Sequence, residues 1–305
     1  LSAIQPTASH APTQQPRSLM RKIFIALALK TDSGKTNPLP EASIPAQAQP
    51  AAWSDPYPAP DLEAPTPGSD RADRAVAPIL LYHHVTDALP ASRYVVSTAD
   101  FERQMKHLKN WGYTPVSLAR LSTALQGEGS LPQRPVIITF DDGYQDVYEN
   151  AFPIMQQLGF PGVVYVITSQ LKGTGTLHVD ELKILIAAGW EIGSHSKSHL
   201  DLRTYGLDLN AEIGGSREKL EKLLDTQVLT FSFPFGLTSP AANRLVRSAG
   251  YRTAVGVGGL FTHSEKTRYY LSRLEVQGSS GLAAFAKLLP WSDPIDHPET
   301  SNPAP

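Results

Sequence analysis

The stretch Pro135-Val136-Ile137-Ile138-Thr139-Phe140-Asp141-Asp142-Gly143 is an apolar run that stops abruptly on two carboxylates and a glycine. An apolar run without polar alternation needs burial on both faces, as strands of a parallel sheet have. Similar runs recur at Ile79–Tyr82 and Gly162–Val166, and further strands are expected near 190–193, 228–233, 251–255 and 270–276. Amphipathic segments separate them. Phe101, Met105 and Leu108 form one stripe of a helix over Ser97–Asn110, which Ser97 or Thr98 can cap. Further helices are expected over Tyr144–Leu158, Val179–Ala188, Asn210–Leu224, Ser239–Ser248 and Gly281–Leu289, the first two ended by Gly159 and Gly189. Strand and helix alternate, so the class is α/β, and about seven such units favour closure into a barrel. In a barrel the chemistry sits at the carboxyl ends of the strands, where Asp141 and Asp142 stand.

Outward from this core the composition changes. Of 26 prolines, 12 lie in residues 1–77 and 5 in 290–305, which marks both ends as extended and leaves one folded domain over 78–289. Met20-Arg21-Lys22 followed by Ile23–Leu29 resembles a short export signal near 20–30, if Met20 is the true start. Export to the extracellular space or cell envelope of a bacterium is the expectation, with the proline-rich arm as a spacer. That apolar run is too short to span a bilayer, so no transmembrane span is expected. A net charge of −2 without a basic cluster speaks against a nucleic-acid partner. With no cysteine, thiol catalysis and Cys-ligated metals are excluded, and any metal must sit on His, Asp or Glu.

An isolated Asp-Asp-Gly is an ordinary turn. At the lip of a buried strand, however, adjacent carboxylates repel unless they share a cation or a proton. The run Ser194-His195-Ser196-Lys197-Ser198-His199 follows another strand, and its two histidines are spaced to reach one ion. Two imidazoles and one carboxylate leave coordination positions open, as catalytic zinc sites do, and free the second carboxylate for proton transfer. Two other readings remain. A 2-His-1-carboxylate set also serves non-haem iron oxygenases, although that chemistry does not require the adjacent second Asp. A domain that keeps the metal without catalysis is the other.

Thr139–Gly143 together with His195–His199 resembles the first two motifs of the polysaccharide deacetylases of the NodB-homology type, carbohydrate esterase family 4, over roughly Pro78–Leu289. The resemblance is nearest to members acting on poly-N-acetylglucosamine. It implies a distorted (β/α)7 barrel, a divalent metal, usually zinc, and removal of N-acetyl groups from an N-acetylglucosamine-containing polysaccharide by attack of metal-bound water. By that resemblance Asp141 is the general base, and Asp142, His195 and His199 are the metal ligands. Phe233-Pro234-Phe235-Gly236 resembles the segment whose aromatic residue offers a backbone N–H to the oxyanion.

The chain departs from the family in three places, and these motivate the alternative of a noncatalytic carbohydrate-binding domain that keeps the fold and metal. Ser232 stands where many members have an Arg that orients the base, the Asp and Trp of the next motif are missing from Gly250–Leu260, and Leu271-Ser272-Arg273-Leu274 lacks the late catalytic His. Arg273 is the expected substitute for the first. For the third, His83 in Leu81-Tyr82-His83-His84-Val85 resembles an N-terminal Tyr-His motif that supplies the acid, and closure of a barrel brings first and last strands together. Tyr82, Pro234, Phe235 and Arg273 are expected around the substrate pocket, and His84, by strand alternation, on the opposite face. His107, His178 and His263 are expected at the surface, and Gln126–Gln133 and Lys172–Leu177 as groove loops.

Overall fold

The computed structural model describes residues 74–278 and 281–292. The export-like segment near 20–30, nearly all of the proline-rich arm and most of the tail lie outside the described residues.

Seven parallel strands run in chain order: β1 (Ile79–Tyr82), β2 (Pro135–Phe140), β3 (Val163–Val166), β4 (Glu191–Ser194), β5 (Thr230–Ser232), β6 (Thr253–Val255) and β7 (Leu274–Glu275). Each of β1 to β5 lies beside its successor, and β7 returns to pair with β1. A single parallel bridge, Val255 to Leu271, joins β6 to the segment leading into β7. The ring is thus closed through a thin seam, the distorted (β/α)7 barrel expected.

Strand composition explains the closure. Every residue of β1, β2 and β3 is buried, and alternate residues enter different clusters. Ile79, Ile137, Val163 and Tyr165 pack together in a smaller cluster, while Leu80, Ile138 and Val164 join the larger one with helical residues such as Phe101, Met105 and Leu185. Both faces are therefore apolar because both are covered. Gly193 in β4 is required by this packing, since a Cβ there would lie 2.4 Å from the Tyr165 ring.

The helices follow the expected pattern with two refinements. Thr98–Asn110 is capped by the Ser97 hydroxyl, which accepts from the Asp100 N–H, and Phe152–Leu158 ends at Gly159 with φ 73°. The helices after the two motif loops both begin as a wide i→i+5 turn, Val147–Ala151 and Asn210–Gly214, a form that often accompanies functional sites. Leu118–Leu125, capped by Ser117, is a helix the apolar pattern did not single out.

Three expectations are corrected. Arg74–Val76 is a strand paired antiparallel with Thr262–Ser264, so ordered structure begins ahead of residue 78. His263 lies in that pairing, 2% exposed, with its Nε2 3.0 Å from the Ala77 carbonyl, and is not a surface residue. Gln126–Gln133 precedes β2 and so lies at the amino end of the strands, away from the chemistry.

Candidate active site

β2 ends by presenting Asp141 inward, 3% exposed, its N–H bonded to the Tyr82 carbonyl. The chain then reverses through left-handed backbone at Asp142 (φ 70°) and Gly143 (φ 70°). A Cβ at Gly143 would meet Val166 Cγ1 at 2.8 Å, so only glycine lets the turn close against β3. β4 delivers His195, buried, and the following loop delivers His199 through two further left-handed residues, Ser196 (φ 64°) and His199 itself (φ 56°).

The pieces meet. Asp142 Oδ1 lies 3.5 Å from His195 Nε2 and 3.4 Å from His199 Nε2, and one ligand atom from each residue falls within 4.8 Å of the others. Asp142 Oδ1 is buried and has no hydrogen-bond partner, a costly state for a carboxylate oxygen unless something else satisfies it. The His195 Nδ1 lies 2.8 Å from the Ser232 carbonyl, which can only accept, so Nδ1 carries the proton and Nε2 turns its lone pair toward Asp142. An orphaned oxygen facing two imidazole nitrogens, one of fixed tautomer, fits a divalent cation.

Asp141 stays outside that cluster as a candidate ligand set and is held from behind. Arg273 Nη1 donates to its Oδ1 at 2.7 Å and Nη2 to its Oδ2 at 2.6 Å, while Ser232 Oγ lies 3.2 Å from Oδ2 and accepts from Arg273 Nη2 at 2.9 Å. The guanidinium is 1% exposed and also donates from Nε to the Gly256 carbonyl. Burial by itself would raise the Asp141 carboxyl, but the Arg273 guanidinium outweighs it and holds it well below the usual carboxylate range. The Arg missing at position 232 is thus made up from the seam strand, with the small Ser232 leaving room for it.

A cavity of about 710 Å³ opens over these groups, lined by Asp141, Asp142, His195, His199, His83 and Phe235 among others. Burial lowers the His83 imidazole, partly countered by Asp141 and Asp142. Phe235 has φ 60° and a largely exposed ring set edge-on to His199, with centroids 4.5 Å apart. Pro234 is buried and shapes the turn without lining the cavity. Tyr82 is the clear misplacement. It points outward, fully buried against Phe101 and Phe140, with its hydroxyl donated to Gln104 Oε1. His84 does not take the opposite face. The strand breaks at His83, so His84 faces the same cavity, its Nδ1 2.6 Å from Asp146 Oδ2 and its ring stacked on Tyr144.

Sequence reasoning missed Glu212, which has no motif around it. Buried in the turn Asn210–Gly214, its carboxylate accepts from the Lys197 and Ser198 N–H groups and from the Ser198 hydroxyl, fastening the loop that carries both histidines. It also missed Tyr144, although that residue directly follows the Asp-Asp-Gly turn. Burial, and then the neighbouring Asp142 charge, raise its phenol.

Residues 128–254 match the family model described as polysaccharide deacetylase. Over these residues the chain is similar to polysaccharide deacetylases. A solved polysaccharide deacetylase from Bacillus cereus is 27% identical, covering 70% of this chain and 69% of that one, with a TM-score of 0.64. The poly-beta-1,6-N-acetyl-D-glucosamine N-deacetylase of Staphylococcus aureus is 25% identical over 197 residues, 59% of this chain and 67% of that protein. The Escherichia coli protein of the same name is 40% identical over 83 residues, 27% of this chain but only 12% of that protein. The matched family segment contains Asp141, Asp142, His195, His199 and Phe235, whereas His83 and Arg273 fall outside it.

Proposed function

We propose that this protein is a divalent-metal-dependent hydrolase that removes N-acetyl groups from an N-acetylglucosamine-containing polysaccharide outside the cytoplasm. The observation that carries this reading is the buried, unpartnered Asp142 Oδ1 between two imidazole Nε2 atoms, beside an Asp141 held apart by Arg273. Asp142, His195 and His199 would hold the ion, most naturally zinc given this donor set, and it would supply Lewis acidity that acidifies water and polarises the acetyl carbonyl.

The remaining steps belong to the chain. Asp141, kept anionic and oriented by Arg273 and Ser232, accepts a proton from the attacking water. The Phe235 backbone N–H supports the negative charge that develops on the acetyl oxygen. His83, in its protonated form, gives its proton to the departing sugar amine. Products are acetate and a free amino sugar within the polymer.

The names of the Staphylococcus aureus and Escherichia coli relatives support poly-N-acetylglucosamine as the substrate class. A glycan polymer is met outside the cytoplasm, consistent with the export-like segment near 20–30. The presence of Arg273 on Asp141 removes one of the three grounds for a noncatalytic binding domain. The deciding experiment is acetate release from a panel of N-acetylated glycans, with metal content measured on the same sample. Metal-dependent acetate release is expected. A fully metal-loaded protein releasing none would leave the noncatalytic reading standing.

A further inference from the structure

Among the described residues, four aromatic side chains are strongly exposed: Tyr94, Tyr205, Phe235 and Phe261. Two of the four, Tyr94 at 46% and Phe235 at 59%, line the cavity over the candidate metal site. Each leans edge-on against a site imidazole, Tyr94 on His83 with centroids 4.8 Å apart and Phe235 on His199. They stand at different points of the rim, one beside the end of β1 and the other beyond β5.

Tyr94 is not on a loose loop. Its carbonyl accepts from the His84 N–H at 3.0 Å, and the neighbouring Arg93 carbonyl accepts from the Gly278 N–H at 3.1 Å. A Cβ at Gly278 would overlap the Val95 carbonyl, so the two backbones are in direct contact. Arg93 pairs through Nε, 2.9 Å, and Nη2 with Glu275 on β7, and its guanidinium lies 5.3 Å from the Tyr94 ring centroid. The segment from Leu89 to Val95 is therefore tied across the barrel mouth from β1 to β7, and it forms one wall of the cavity.

A rigid wall that leaves an aromatic ring nearly half exposed inside a polar cavity offers an apolar platform next to hydrogen-bonding groups. A pyranose ring matches it, with C–H groups on its faces and hydroxyls around its edge. A phosphate-bearing ligand does not, because Asp141, Asp142 and Glu275 line the cavity while Arg93 and Arg273 are both already paired. We propose that Tyr94 is a stacking platform for the sugar ring adjoining the one being deacetylated, with Phe235 flanking the site elsewhere on the rim. Tyr94 would thereby set the preference for oligomers over single sugars. This rests on the deacetylase reading above.

The test uses the full chain and β-1,6-linked N-acetylglucosamine oligomers from monomer to hexamer. For Tyr94→Ala the loss of kcat/KM should grow with oligomer length, reach about tenfold at the hexamer, the scale of one aromatic contact, and be carried by KM. Tyr94→Phe should retain most of the wild-type KM, because the ring face is preserved. A loss equal at every length, or carried by kcat, would make Tyr94 only a prop for His83 and overturn the proposal. If wild type released no acetate from any oligomer, the deacetylase reading would fail by itself. Calorimetric binding of the hexamer to wild type and Tyr94→Ala would then still decide the platform, equal affinities sinking it.

Discussion

Arg273, from the strand that seals the barrel, grips both oxygens of Asp141, which ends a strand 132 residues earlier. Neither group is tolerable alone at that depth, since a buried charge without its partner is strongly unfavourable. Replacing Arg273 by Met should therefore destabilise the domain by about 3–5 kcal/mol and abolish acetate release. Arg273→Lys keeps the charge but loses the two-pronged geometry, and should fold while turning over at least about tenfold more slowly. Denaturant midpoints and acetate assays on both variants check this. An Arg273→Lys enzyme of wild-type rate would show that orientation of Asp141 is unimportant.

Asp141→Asn should release no acetate yet bind metal as wild type does, because Asp141 lies outside the Asp142–His195–His199 set. His199→Ala should instead bind metal far more weakly. Metal content by atomic emission after dialysis separates the two variants, and loss of metal from Asp141→Asn would move Asp141 into the ligand set.

Glu212 offers a subtler test. Its carboxylate holds the Lys197 and Ser198 N–H groups of the loop in which Ser196 and His199 adopt left-handed backbone. Glu212→Ala should weaken metal binding by about 10–100-fold, the range seen when groups supporting metal ligands are removed. Glu212→Gln, which keeps an acceptor oxygen, should restore much of it. Titration with zinc under a competing chelator reads the affinity. Equal affinity in Glu212→Ala would leave the residue a purely structural role.

His263 makes stability depend on pH. Burial lowers its imidazole to about 4, only partly offset by the Ala77 carbonyl, whereas the unfolded chain takes up that proton near 6.5. Above pH ~6.5 both states are neutral there and the residue adds no slope. As pH falls from ~6.5 toward 4 the unfolded state gains a proton that the folded state refuses, costing up to about 1.36 kcal/mol per pH unit, and below about 4 the effect levels off. Urea unfolding of metal-free protein between pH 7 and 4 should show this fall, and His263→Gln should flatten it. An unchanged slope in His263→Gln would assign the pH dependence to other groups.

Much of the candidate site could be read from the chain because its signals are local. An apolar strand that stops on Asp141 and Asp142, and two histidines four apart after another strand, are patterns within a few residues. Tyr82 shows where such reading stops. Leu81 lines the cavity, so its neighbour Tyr82 points to the other face and into the helix layer, and the break at His83 upsets the alternation beyond it. Proximity of Tyr82 to a motif was misleading, and strand parity explains its position.

The order of apolar runs and amphipathic segments was enough to determine an α/β barrel and the end of it where chemistry would sit, because burial on both faces leaves a direct mark on composition. Which distant groups touch was decided only by closure of the ring. Arg273 reaches Asp141, Glu212 fastens the histidine loop and the Leu89–Val95 segment walls the cavity. Each of these contacts joins residues far apart in the chain, and no periodicity in either segment encodes its partner.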